Sequence, residues 1–270
     1  MLFYCQKLLK IFEKNFVVTI DITTMQMYNA VVIRKVTTNR FTFSIFKIIQ
    51  NFSTQFSGGI IMKIAVVCAN GKAGQLITKE AVNRGFDVTA FVRGENKSVA
   101  KNAVIKDLFD ITKEDLNGYD VVVDACGGWT AETIPVIPQA GEYLCNLLAG
   151  TDTRLVIVGG AGSLYVNPEH TITVADGPDF PDAFKPLAAA HQVLLDGLRK
   201  RNDVKWTYVS PAGDFQADGK RTGEYTLGGE ELVLNSKGES VISYADYAIA
   251  FVDEIANGNH IGERISVVSK

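Results

Sequence analysis

Histidine and cysteine are scarce in this chain, with three of the first and four of the second in 270 residues. His170, His191 and His260 are scattered, and Cys5, Cys68, Cys126 and Cys145 show neither metal-ligand spacing nor a paired pattern. No metal site is expected from that distribution, and the thiols read as small buried residues of a reducing cytosol. No stretch reaches the roughly 18 uninterrupted apolar residues of a spanning helix, and no small-residue cleavage site follows a clean apolar core near the N-terminus. A soluble, cytoplasmic protein with no membrane partner is expected.

Basic charge is lacking where it would matter for nucleic acid. Residues 1–61 carry Lys7, Lys10, Lys14, Arg34, Lys35, Arg40 and Lys47 against only Glu13 and Asp21, a net +5, so the remaining chain carries −8 of the total −3. An acidic body is repelled by phosphate backbones, so no nucleic-acid partner is expected. Residues 1–61 also differ in composition: they are rich in Phe, Ile, Thr and Asn and show no sustained helical or strand period. They end in Ser57, Gly58 and Gly59 just before Met62, and the two glycines are encodable as GGA GGN, a purine-rich pattern like a bacterial ribosome-binding sequence. The expectation is that 1–61 is an extension outside the native fold, with Met62 the true start. A presequence, or a basic arm that binds a partner, stands as the alternative.

What is present begins at Met62. Lys63 to Cys68 is a short apolar run suited to a parallel strand covered on both faces. Asn70, Gly71 and Gly74 break it before an amphipathic stretch from Gln75 to Arg84, and Asp87 to Val92 reads as a second strand. Strand, glycine turn, helix and strand in that order form a nucleotide-binding βαβ unit. Glycines let the backbone approach a pyrophosphate, and the free N–H groups at the helix start face its charge. The motif is incomplete, because Cys68 stands where the strict pattern has its first glycine. At the end of the second strand an acidic residue would select NAD(H). Here Arg93 follows Val92, with Lys97 in the same loop, so NADP(H) is favoured over NAD(H).

Further short apolar runs follow at Asn102 to Asp107, Asp120 to Asp124, Arg154 to Gly159 and Val204 to Val209, with helical stretches around Glu132 to Leu148 and Phe184 to Arg201. The alternation predicts an α/β fold, a Rossmann-type doubly wound parallel sheet. Right-handed crossovers place Gly71, Asp107, Ala125 to Gly128 and Gly159 to Ser163 along one crevice. From Ser210 the chain is glycine-rich, with strand-like pieces at Glu224 to Leu227 and Glu231 to Leu234, a helix from Ser243 to Ile255 and a last strand from Arg264 to Val268. Residues 62–270 thus read as a dinucleotide-binding domain in which the small irregular segment 210–270 covers the substrate pocket.

The stretches MKIAVVCANGKAG, VTAFVR, KDLFD, VVVDACGG, LVIVGGAGSL, VKWTYVSPAGDF, RTGEYTLGG and ISYADYAIAFVDEI resemble the atypical short-chain dehydrogenase/reductase family. Within it the chain is most similar to the NADH-flavin reductase-like proteins, akin to biliverdin reductase B and the NmrA-like sensors. The resemblance covers nearly all of the chain after Met62. It implies that Gly71, Lys72, Ala73 and Gly74 hold the pyrophosphate, Arg93 the adenosine phosphate, Asp107 and Leu108 the adenine, and Ala125, Cys126 and Gly127 the ribose.

The Tyr-x-x-x-Lys pair of the wider superfamily is absent: Tyr165, Tyr208 and Tyr244 are followed at that spacing by Glu169, Ala212 and Ala248. Alcohol oxidation needs such a pair to move the hydroxyl proton. Reduction of a flavin or quinone does not, because hydride goes directly to an electron-poor ring and water can supply the proton. Candidate catalytic residues are His191, which either donates a proton or is a partly buried helix histidine, and Ser163 and Tyr165, which either face the substrate or serve the loop. Two functions follow from the same cofactor site. One is an NAD(P)H-dependent reductase of flavin or quinone-like substrates, monomeric or a small homo-oligomer. The other is a non-catalytic NADP(H)-binding redox sensor.

Overall fold

The computed structural model describes residues 4–13, 16–25, 30–37 and 61–270. The chain divides into two compact units, Met1–Ile61 and Met62–Lys270. In the first, β1 (Tyr4–Glu13), β2 (Phe16–Met25) and β3 (Ala30–Thr37) form an antiparallel sheet in the order β1-β2-β3. Strands arise here without a sustained period, because runs such as Val17-Val18-Thr19-Ile20 and Val31-Val32-Ile33 are β-branched and favour extended backbone by themselves.

The second unit is a doubly wound sheet. In chain order it contains β4 (Lys63–Val67), α1 (Lys72–Asn83), β5 (Asp87–Val92), β6 (Asn102–Ile105), β7 (Val121–Asp124), α2 (Val136–Leu148), β8 (Arg154–Val158), α3 (Lys185–Leu198) and β9 (Lys205–Ser210). There follow β10 (Asp214–Gln216), β11 (Tyr225–Gly228), β12 (Val241–Ser243), α4 (Tyr244–Asn257) and β13 (Glu263–Ser269). Eight strands pair in the order β11-β13-β9-β8-β7-β4-β5-β6. Every pair is parallel except β11 with β13.

Alternate residues of each central strand feed opposite cores, which is why these strands read as continuous apolar runs. Ile64 and Val66 pack with Ile77 and Ala81 of α1 and Tyr247 and Phe251 of α4. Ala65 and Val67 face the other way, toward Leu144 of α2 and Leu195 of α3. Each fully buried aliphatic side chain contributes about 1.5–3 kcal/mol, so both helical layers are held by packing rather than by helix propensity.

Several element boundaries differ from those expected. The third strand of the domain stops at Ile105, because the Asp107 carboxylate turns back to accept from the Phe109 N–H at 3.2 Å and starts a 3₁₀ turn over Leu108–Asp110. The helix expected from Glu132 begins only at Val136, since Thr133 closes a turn on Thr130 first. Glu231 to Leu234 is not a strand. Instead, Tyr165 N–H donates to Glu230 O and Leu232 N–H to Tyr165 O, which pins that segment to the loop after β8 and leaves a single bridge at Glu231.

Candidate functional site

The sheet reverses winding between β4 and β7, where β5 and β6 lie on one side and β8 and β9 on the other. Ligands of such sheets enter beyond the carboxyl ends of the strands at that point. A cavity of about 450 Å³ opens there, lined among others by Gly71, Arg93, Asp107, Leu108, Ala125, Cys126 and Gly127.

The turn after β4 leads into a helix start that could hold a phosphate. Gly71 is the N-cap of α1, its backbone extended (φ −67°, ψ 160°), and no side chain caps the helix. By contrast, the Ser243 hydroxyl accepts from the Asp246 N–H at the start of α4. The first N–H groups of α1 are therefore left for a ligand. A Cβ at Gly71 would stand 3.4 Å from Cys68 O and 3.8 Å from Ala125 O, so the turn itself accommodates one and the space beyond it belongs to the cavity. At Gly74 a Cβ would come within 2.7 Å of Cys68 O and 3.0 Å of Ala69 Cα, both backbone, so this glycine is needed for the packing of helix on strand. The two glycines of the motif thus do different things.

Asn70 joins this turn to the loop after β5. Its side chain donates to Glu95 O at 2.8 Å and accepts from the Lys97 N–H at 2.7 Å, which fixes the loop carrying Arg93 beside the phosphate turn. Arg93 is exposed and lines the cavity. The donor set, a free helix N-terminus with a guanidinium at the second strand's end, fits an NAD(P)-type dinucleotide.

Asp124 was not singled out by sequence. It ends β7 at 2 % exposure, and its carboxylate accepts from the Cys126 N–H at 3.0 Å. Burial pushes its pKa up to about 7, against the smaller opposing effect of that hydrogen bond. A carboxyl group inside the apolar run VVVD was the available signal. Because the folded-state pKa lies above the unfolded one, its stability contribution is lost as pH rises from about 4 to about 7. Asp124→Asn, which keeps the acceptor for Cys126, should therefore stabilise the fold by about 2–4 kcal/mol above neutrality and hardly at all near pH 4. Urea melts of the two proteins across that range check it, and a pH-independent difference would contradict it.

Cys68 and Cys126 are not isolated buried thiols, as their spacing had implied. They are joined as a disulfide, with Cα atoms 5.2 Å apart, in the cavity's lining. The 58 residues between them hid the pairing, which arises because β4 and β7 are neighbours. Cys68 has φ +60°, a left-handed conformation that glycine adopts more readily, consistent with its place in the glycine motif. Cys145 stays free and buried, its pKa pushed up to about 12 mainly by burial.

Ser163, Tyr165 and His191 lie apart from the lining of this cavity. His191 packs under Gly160, its Nδ1 3.1 Å from the Tyr208 hydroxyl, which in turn accepts from the Gly160 N–H at 2.9 Å. Burial lowers its pKa to about 4, so the ring is neutral at physiological pH. Ser163 is buried, and its hydroxyl and carbonyl oxygens both accept from Arg264, at 3.0 and 2.8 Å. Arg264 also donates to the carbonyl and carboxylate of Glu230 and lies 5.4 Å from the Tyr165 ring centroid. That ring stacks on His170 at 4.5 Å, and His170 pairs with Glu231 at 2.7 Å. The buried guanidinium anchors the loop after β8 to the C-terminal segment. Lys72, Ala73 and Gly74 form the first turn of α1 and are not among the residues that line the cavity. Among the described residues no group of His, Cys, Asp and Glu side chains is arranged to hold a metal, and no helix is long and apolar enough to cross a membrane.

The geometry agrees with what the chain is similar to. A family model described as NAD(P)H-binding matches residues 68–257. The Bacillus subtilis protein YwnB is 42% identical over 212 residues, covering 77% of this chain and 99% of that one. A crystal structure from Streptococcus pneumoniae, described as a "putative NADH-flavin reductase", is 54% identical, covers 77% of this chain and all of that one, and superposes with a TM-score of 0.76. A Burkholderia pseudomallei protein of known structure is 36% identical, covering 77% of this chain and 99% of that one, with a TM-score of 0.69.

Proposed function

The chain belongs to the NAD(P)H-binding family, and from that premise we propose that it is an NADPH-dependent reductase of flavin or quinone-like substrates. The observation that carries the cofactor choice is Arg93 in the cavity wall at the end of β5, where an acidic residue would favour the unphosphorylated ribose. Gly71 and the uncapped start of α1 bind the pyrophosphate, and Asp107, Leu108 and the Ala125–Gly127 loop enclose the adenosine. Bound there, the nicotinamide supplies a hydride. The chain's contribution is to position and shield the reacting rings, with the proton drawn from water. The absence of a Tyr-x-x-x-Lys pair supports this reading, as does the neutral His191 buried against Tyr208.

An acceptor panel tests it: quinones and flavins should support NADPH oxidation, while secondary alcohols should give negligible reverse activity with NADP⁺. His191→Ala should keep a substantial fraction of the rate, because a general acid is dispensable when water supplies the proton. A loss of about 10²-fold in a still folded variant would show instead that the ring donates one. The second reading, a redox sensor that binds NADP(H) without chemistry, draws support from the placement of Ser163, Tyr165 and His191 outside the cavity lining.

We also assign the cofactor site and its chemistry to residues 62–270, with 1–61 outside them, a reading supported by the compact division at Ile61/Met62 and the change of charge there. A chain beginning at Met62 should match the full chain in NADPH affinity and melting. Loss of either on truncation would contradict it.

A further inference from the structure

Cys68 and Cys126 both line the cofactor crevice. Cys68 directly follows β4 and its carbonyl accepts from the Gly71 N–H of the phosphate turn at 3.0 Å. Cys126 follows β7 in the loop opposite, its N–H fixed on Asp124. Those two strands are the neighbours between which the sheet reverses its winding, so a bond between the two residues ties together the strand ends at which a dinucleotide would bind. Both side chains line the cavity, and Cys68 is partly accessible from it. Their Cα separation of 5.2 Å lies inside the ordinary range for a disulfide, so the bridge fits the backbone of these neighbouring strands.

We propose that Cys68 and Cys126 are a reversible thiol–disulfide site through which low-molecular-weight disulfides control access to the cofactor crevice. This rests on the nucleotide reading of the cavity. In the bridged form the phosphate turn and the ribose loop are tied to one another, and the bridge lies in the lining the pyrophosphate must approach. In the dithiol form each loop adjusts to the ligand separately. Oxidation proceeds by attack of the Cys68 thiolate on a disulfide RSSR, which releases RS⁻ and leaves a mixed disulfide. The Cys126 thiolate then attacks the Cys68 sulfur and displaces the second RS⁻. The protein loses two electrons and two protons, and RSSR becomes two RSH. Linkage is reciprocal, so bound cofactor should protect the pair from oxidation by the same factor that oxidation weakens binding. Cys145, free and buried on α2, takes no part.

The test uses the full chain reduced with dithiothreitol or oxidised with glutathione disulfide, followed by removal of the reagent. Thiols are counted by maleimide mass shift after denaturation, and NADPH is titrated by nicotinamide fluorescence. The oxidised sample should hold two fewer thiols and bind NADPH at least about tenfold more weakly, and prior saturation with NADPH should slow the loss of thiols. Cys68→Ser should bind equally before and after the oxidant, whatever its own affinity, whereas Cys145→Ser should keep the full response. Equal binding in the two states, an unchanged thiol count, or a response surviving in Cys68→Ser would overturn the proposal while leaving the cofactor site intact. Reduced protein that binds no NADPH would overturn the cofactor reading, and this inference with it.

Discussion

Gly71→Val should give a folded protein that has lost NADPH binding by roughly 10³-fold, the loss expected when two or so charge-assisted phosphate contacts of about 1.5–3 kcal/mol each are blocked. The backbone at Gly71 is extended, a conformation valine prefers, and a Cβ there meets nothing closer than 3.4 Å. The added methyls extend into the cavity, over the N–H groups that α1 leaves uncapped. Gly74→Ala is the contrasting substitution. Its Cβ is set against backbone atoms at 2.7 and 3.0 Å that cannot move aside, so it should lower the melting temperature first and affect binding only through the fold. Circular-dichroism melts beside NADPH titrations separate the two effects. Loss of folding in Gly71→Val, or NADPH affinity near that of the unmutated chain, would contradict this division of labour.

Arg93→Ala should remove most of the preference for NADPH over NADH, a difference of about 1–3 kcal/mol, by weakening NADPH alone. Arg93 lines the cavity at the end of β5, in a loop that Asn70 holds against the phosphate turn, so its guanidinium is placed rather than free to sample. Because the contact is between charges at an exposed site, the preference should shrink as salt rises. Parallel titrations of the two proteins with both nucleotides check it. Equal affinity for NADPH and NADH in the unmutated chain would remove the basis of the assignment.

The sheet was legible because its physics is local. Lys63 to Val67 and Val121 to Asp124 are apolar runs with glycine or polar breaks at their ends, and burial on both faces demands that composition. The glycine turn and the helix after it were legible for the same reason, since they are contiguous. Arg93 and Asp107 followed from their places at strand ends, and the structure brings both to the cavity. What the sequence concealed depends on distant partners. The Cys68–Cys126 pair exists only because β4 and β7 are neighbours in the sheet. The Glu231 segment has strand composition, but the Tyr165 backbone and the Arg264 guanidinium capture it from positions distant in sequence on either side. Asp124 looked like the end of a strand, and only its complete burial turns it into a carboxyl group that titrates near neutrality.

The central claim is that this site moves hydride from NADPH to an electron-poor ring. Mixing the purified, reduced full-length protein with NADPH and FMN or a quinone, and following the absorbance of the reduced nicotinamide, tests it most directly. The account predicts oxidation of NADPH at a rate proportional to protein concentration, slower with NADH at equal subsaturating concentration and abolished in Gly71→Val. Tight NADPH binding without turnover across a panel of flavins and quinones would contradict it and leave the redox sensor in its place.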